Sequence, residues 1–180
     1  MNLPNKITVF RVFMIPIFLV LMLVKGIPNG NIYAAIVFSI ASCSDFIDGY
    51  LARKYNLVTN FGKFMDPLAD KLLVCSALIC FVASKTVPSW VVIIIVAREF
   101  IISGFRTVAS DNGLVLAASY WGKFKTATQM IMCVLFIVDL NLPVFNVIEQ
   151  IFLWLSLALT IISLIDYLVK NRSIILDGKM

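Results

Sequence analysis

The sequence predicts an all-α, polytopic membrane protein with six transmembrane helices and a short N-terminal interfacial segment, and three observations predict it. Of its 180 residues 61% are hydrophobic and only 14% charged, with a mean hydropathy of +0.99. An ordinary soluble domain is about half apolar and about a quarter charged, far from this balance. The apolar residues also arrive in blocks close to the roughly 20 residues that a helix needs to cross hydrocarbon. Finally, turn-forming residues punctuate those blocks. No internal repeat, low-complexity tract or long linker divides the chain, so residues 1–180 read as a single membrane domain.

Taken in order, the lead-in Asn2-Leu3-Pro4-Asn5-Lys6-Ile7-Thr8 reads as interfacial, with Asn5 or Thr8 available to cap the helix that follows. The first span runs from Val9 to Val24; no small-residue cleavage pattern precedes Lys25, so it reads as retained. The remaining spans are expected over Ile32–Leu51, Asp66–Val82, Val87–Val108, Leu116–Val138 and Ile148–Val169. Between them lie Gly26-Ile27-Pro28-Asn29-Gly30, Asn60-Phe61-Gly62, Lys85-Thr86-Val87-Pro88, Asp111-Asn112-Gly113 and Asn141-Leu142-Pro143, all with turn chemistry. Cys43, Cys75, Cys80 and Cys133 fall inside apolar helices at no metal-ligand spacing, so they are expected as small core residues without disulfides.

Charge sets the orientation. Six spans place thirteen of the fifteen Lys and Arg on the side that holds both termini, leaving only Lys25 and Lys85 on the other. Positive charge stays in the cytoplasm, so both termini are expected there, in a cell (plasma) membrane. The net charge of +5 then means attraction to anionic lipid and phosphate, with no nucleic acid as partner, because no soluble basic domain is present.

Ionisable residues within membrane spans are costly and mark function. Four of the ten acidic residues crowd into one stretch, as Asp45, Asp48, Asp66 and Asp70. Three- and four-residue spacing puts each pair on one helical face, and a turn of about a dozen residues brings the second helix back beside the first. Four converging carboxylates need a cation. Hard oxygen ligands select Mg²⁺, Mn²⁺ or Ca²⁺, and Mg²⁺ commonly brings substrate phosphate into its shell; with no histidine in the chain, a His-containing zinc site is excluded. Gly49 and Gly62 would let a ligand approach the backbone, Arg53 could bind phosphate bidentately, and Thr59 could supply a hydroxyl. Local alternatives exist for each: Asp66 before Pro67 as a helix cap, Asp48-Gly49 as a turn, Arg53-Lys54 as a positive flank. None of them asks for four aspartates at these intervals.

Asp45-x2-Asp48-Gly49-x2-Ala52-Arg53-x8-Gly62-x3-Asp66-x3-Asp70 resembles the complete signature of the CDP-alcohol phosphatidyltransferases. That resemblance implies a six-helix membrane bundle, usually a homodimer, that moves a phosphatidyl group from CDP-diacylglycerol to an alcohol and releases CMP. It implies one divalent ion (Mg²⁺ or Mn²⁺) on Asp45, Asp48 and Asp66 and a second on Asp45, Asp66 and Asp70, with Asp70 also the general base. Asp45, Asp48, Gly49, Ala52, Arg53, Thr59 and Gly62 would form the CDP-diacylglycerol site.

Three further segments resemble the phosphatidylglycerophosphate synthase branch of that family: Asn2-Leu3-Pro4-Asn5-x2-Thr8-x2-Arg11-Val12, Ala97-Arg98-Glu99-Phe100-Ile101-Ile102-Ser103-Gly104-Phe105-Arg106, and Gly122-Lys123-Phe124-Lys125-Thr126-x2-Gln129-Met130. The acceptor this implies is sn-glycerol 3-phosphate, an anion suited to Arg98, Arg106, Lys123 and Lys125. Arg98 and Arg106, eight apart, are expected along one face, with Glu99 pairing one of these bases. The alternatives are another acceptor such as inositol phosphate, or, in a different class, a divalent-cation transporter with the aspartates as its pathway.

Overall fold

The computed structural model describes the backbone of residues 3–24, 26–54, 60–111, 119–140 and 142–172, and their side chains except those of 3–5, 45–54, 60–64, 66, 67, 110 and 111. Among the described residues there are six helices and no strand: α1 (Leu3–Leu23), α2 (Gly30–Lys54), α3 (Asn60–Ala83), α4 (Ser89–Asp111), α5 (Tyr120–Val138) and α6 (Pro143–Lys170).

The boundaries correct the sequence reading where chemistry was mistaken for punctuation. The expected interfacial lead-in is the first turns of α1: Pro4 falls where a missing N–H costs nothing, and the helix runs on past the interior Pro16 to Leu23. Thr8 is therefore no cap; it lies inside α1, 1% exposed. Likewise α2 continues through Asp48-Gly49 to Lys54, and α3 begins at Asn60, six residues before Asp66. The turn and cap readings of those aspartates both fall, and the link between the helices shrinks from about a dozen residues to 55–59. Gly26, at φ +109°, turns the chain between α1 and α2, and Gly30 lets α2 start against α1, since a Cβ there would lie 3.0 Å from the Leu21 carbonyl oxygen.

Among the described residues two helices are long and apolar enough to cross a membrane, α1 over Lys6–Leu23 and α6 over Pro143–Lys170. The six-span expectation thus has two helices behind it on that test. On α2 the described apolar stretch is the shorter Gly30–Ser44, and α4 and α5 carry ionisable residues along their length, Arg98, Glu99 and Arg106 on one and Lys123 and Lys125 on the other. Outward-facing side chains are large and apolar nonetheless, among them Phe13, Ile79, Ile93, Phe100, Ile151 and Val169. An exterior of that kind suits contact with lipid.

The chain forms two compact units. The first, Met1–Thr86 with Cys133–Leu140, packs α1 against α2 and α3, and α2 against α3. Each helix buries one stripe stepped by three or four residues: Thr8, Arg11, Ile15 and Phe18 on α1; Ala34, Phe38 and Ala41 on α2; Ala69, Leu73, Ala77 and Phe81 on α3. The alanines let backbones approach closely, as packing in lipid requires. Phe18 meets Phe38 at 5.8 Å between ring centroids, and Phe81 meets Phe136 at 5.4 Å.

The second unit, Val87–Met132 with Asn141–Met180, packs α4 against α6. Trp90 touches Trp154, and Arg98 bonds Ser163, so the two contacts advance together along both helices. The helices α4 and α6 therefore run parallel. Cys80 and Cys133 are buried as expected, whereas Cys43 is exposed; all four are free thiols.

Candidate functional site

The aspartates continue the packed stripes of the first unit. On α2 the buried positions Ala34, Phe38 and Ala41 extend at four- and three-residue steps to Asp45 and Asp48; on α3 Ala77 and Leu73 lead back to Asp70 and Asp66. Both pairs also stand at one height. Asp48 lies six residues before Lys54 and Asp66 six after Asn60, while Asp45 and Asp70 lie nine and ten residues from the same ends. Consecutive helices in contact through so short a link run antiparallel, and a rise of about 1.5 Å per residue puts the pairs roughly 9 Å and 15 Å from the link.

Four aspartate positions thus stand at two matched heights on neighbouring helices, and an all-oxygen, histidine-free donor set is of the kind that suits Mg²⁺ or Mn²⁺. Asp70 is described to its side chain and is half-buried beside the buried Ala69. The side chains of Asp45, Asp48, Asp66, Gly49, Ala52, Arg53 and Gly62, and Thr59 altogether, lie outside the described residues.

The basic residues of the second unit separate into roles. Arg98, 7% exposed, donates Nε to Ser163 Oγ at 3.1 Å and Nη1 to Glu99 Oε1 at 3.4 Å. Lys125, 1% exposed, gives its ammonium to the same Glu99 oxygen. Glu99 therefore pairs both bases, where one was expected, and binds α4 to α5 while Arg98 binds α4 to α6. Arg98 Nη2 faces the Gly122 α-carbon, where a Cβ would lie 3.4 Å away. Ser163 in turn donates to the Thr160 carbonyl, so its oxygen is turned to accept from Arg98.

Lys123 is not brought to this cluster. Two residues from Lys125, it points elsewhere and lies over the Tyr120 ring at 5.5 Å. Nor do Arg98 and Arg106 share a face: eight residues overshoot two turns by about 80°, so Arg98 is buried and Arg106 exposed. Arg106 still stands near enough for its charge to act on both Arg98 and Tyr167.

Glu99→Gln should remove the carboxylate that Arg98 and Lys125 share and cost up to about 3–5 kcal/mol, the scale for breaking a buried ion pair. Thermal unfolding of the purified protein checks this, and adding Lys125→Met should recover most of the loss; an unchanged melting temperature in the single variant would refute the pairing.

Sequence reading missed the partners on α6. Ser156, Thr160, Ser163 and Tyr167 are all buried, spaced four, three and four along the C-terminal half of α6. That polar stripe was the available signal. Tyr167 Oη has no hydrogen-bond partner among the described residues, which leaves a buried donor on the side where the Arg106 charge acts. Arg11, which the sequence reading counted among the cytoplasmic cations and within the N-terminal segment without giving it a role, is fully buried.

Residues 1–162 match the family described as CDP-alcohol phosphatidyltransferase. Over 94% of its length the chain is 45% identical to the CDP-diacylglycerol–glycerol-3-phosphate 3-phosphatidyltransferase of Bacillus subtilis, covering 95% of that protein. It is 37% identical to the protein of that name from Rickettsia bellii, over 92% of the chain and 93% of the relative. With the Haemophilus influenzae protein of that name the identity is 36%, over 98% and 97%.

Proposed function

The chain belongs to the CDP-alcohol phosphatidyltransferase family, and from that premise we propose that it transfers the phosphatidyl group of CDP-diacylglycerol to sn-glycerol 3-phosphate, giving phosphatidylglycerophosphate and CMP. The observation that carries this reading is that similarity to relatives named for that reaction runs nearly end to end, through the aspartate helices and the basic α4 and α5 alike. Family membership also argues against an ion pathway.

Asp45, Asp48 and Asp66 would hold one divalent ion and Asp45, Asp66 and Asp70 a second; bound there, such ions draw charge from the diphosphate. Asp70 takes the proton from the acceptor hydroxyl as its oxygen bonds the phosphorus that carries diacylglycerol. The bond from that phosphorus to the CMP oxygen breaks, and CMP leaves. Gly49, Arg53 and Thr59 hold the CDP portion.

For the acceptor phosphate the second unit offers Arg98, whose Nη2 stays uncommitted, together with Arg106 and the Tyr167 hydroxyl. Lys125 serves the site through Glu99, and Lys123 stands apart. All six helices span the membrane in this reading, with both termini and the aspartates cytoplasmic. The parallel course of α4 and α6, which alternating spans require, and the thirteen-to-two division of basic residues support it.

The test is a purified-protein assay with CDP-diacylglycerol and a panel of alcohols, reading CMP and lipid product. Turnover with inositol phosphate but not with glycerol 3-phosphate would sink the acceptor assignment. Arg106→Gln should raise the KM for glycerol 3-phosphate about tenfold and leave kcat within about twofold, as loss of one charged hydrogen bond made equally in ground and transition states predicts. An unchanged KM would return Arg106 to the positive flank.

A further inference from the structure

In the first unit, α1 and α2 form an antiparallel pair across the Gly26 turn, with Phe18 against Phe38. From that contact each step back along α1 matches a step forward along α2. Seven residues from Phe18 stands Arg11, and seven from Phe38 stands Asp45; ten residues on, Thr8 is level with Asp48. Arg11 and Thr8 lie on the same buried stripe as Phe18, at three- and four-residue steps, and they are 0% and 1% exposed. The α1 helix also packs against α3, which carries Asp66 and Asp70.

A guanidinium keeps its proton in any protein environment, so a fully buried Arg11 needs acceptors for its N–H groups and is best compensated by a carboxylate. The sequence of this unit holds five: the four aspartates and Asp139. Asp139 follows the end of α5 where Phe136 meets Phe81, near the end of α3 remote from Asp70. Phe81 is eleven residues, about 16 Å of helix, beyond Asp70. The aspartates are the carboxylates at the height of Arg11.

We infer that Arg11 is the resident cation of the aspartate site: a positioning residue on α1 that offsets part of the carboxylate repulsion and holds the pairs of α2 and α3 in register, with Thr8 beside it. This rests on the reading of the aspartates as a divalent-metal site. Arg11 lowers the charge that a metal must balance, so the empty site does not drive the helices apart.

The experiment compares thermal unfolding of the wild-type protein, Arg11→Met and Arg11→Lys, each metal-free and with Mg²⁺ alone. Arg11→Met should melt roughly ten degrees below wild type when metal-free, and Mg²⁺ should raise it by clearly more than it raises wild type, because the ion replaces the lost charge. Arg11→Lys, which keeps the charge but not the planar fork, should fold and show a wild-type-sized Mg²⁺ response, with a KM for CDP-diacylglycerol raised about tenfold and the KM for glycerol 3-phosphate little changed. Equal Mg²⁺ responses in wild type and Arg11→Met would overturn the inference about Arg11 alone. If Arg11→Met does not fold, the inference stands or falls on Arg11→Lys, and both KM values moving together would overturn it. No Mg²⁺ response in any of the three proteins would overturn the metal reading and the inference with it.

Discussion

Asp70→Asn should reduce CMP release about a thousandfold, within the range that one positioned general base contributes, while CDP-diacylglycerol binding stays within about threefold. The asparagine keeps an oxygen in place but cannot accept the acceptor's proton. Asp70 is suited to the role: it stands on the deeper tier of α3, half-buried next to the buried Ala69, one step along the stripe from Leu73. Single-turnover measurements with saturating substrates separate chemistry from binding here. A rate near that of the wild type would place the base elsewhere.

Asp45→Asn should fail differently, losing metal and nucleotide lipid together. Asp45 belongs to both proposed ligand sets, so its charge is shared by two ions, and it lies level with Asp70 across the α2–α3 pair. We expect kcat/KM to drop by about a thousandfold or more, on the scale of several kcal/mol for removing a charged ligand from a low-dielectric site. The stabilisation of the folded protein by Mg²⁺ should shrink with it, since a ligand stabilises only the state that binds it. An Asp45→Asn protein that kept its full Mg²⁺-dependent rise in melting temperature would remove Asp45 from the metal site. The two variants therefore distinguish a residue that does chemistry from one that assembles the site.

Much of this was legible in the chain itself. Hydrophobic blocks and turn residues located six helices, and the family signature located the four aspartates. The boundaries were less legible, because charged residues near helix ends look like punctuation: Asp66-Pro67 resembles a cap and Asp48-Gly49 a turn, yet both lie in helix interiors. Arg98, Glu99 and Arg106 on α4 and Lys123 and Lys125 on α5 likewise interrupt apolar runs that the hydrophobic blocks alone made look continuous. Cationic residues were harder still. Lys123 and Lys125 are indistinguishable as flank residues in the sequence, but one lies over Tyr120 and the other is buried against Glu99.

Sequence alone therefore determined the helical class, the family and the identity of the acidic residues, because apolar runs and motif spacing are local properties of the chain. Tertiary structure decided which charges are compensated. Glu99 binding both Arg98 and Lys125, Ser163 turned toward Arg98, and Arg11 buried at the height of Asp45 all depend on residues far apart in sequence meeting at one level of the packed helices. The reason is physical. A buried charge is defined by its partner, and where the partner sits is set by helix register and packing rather than by neighbours along the chain.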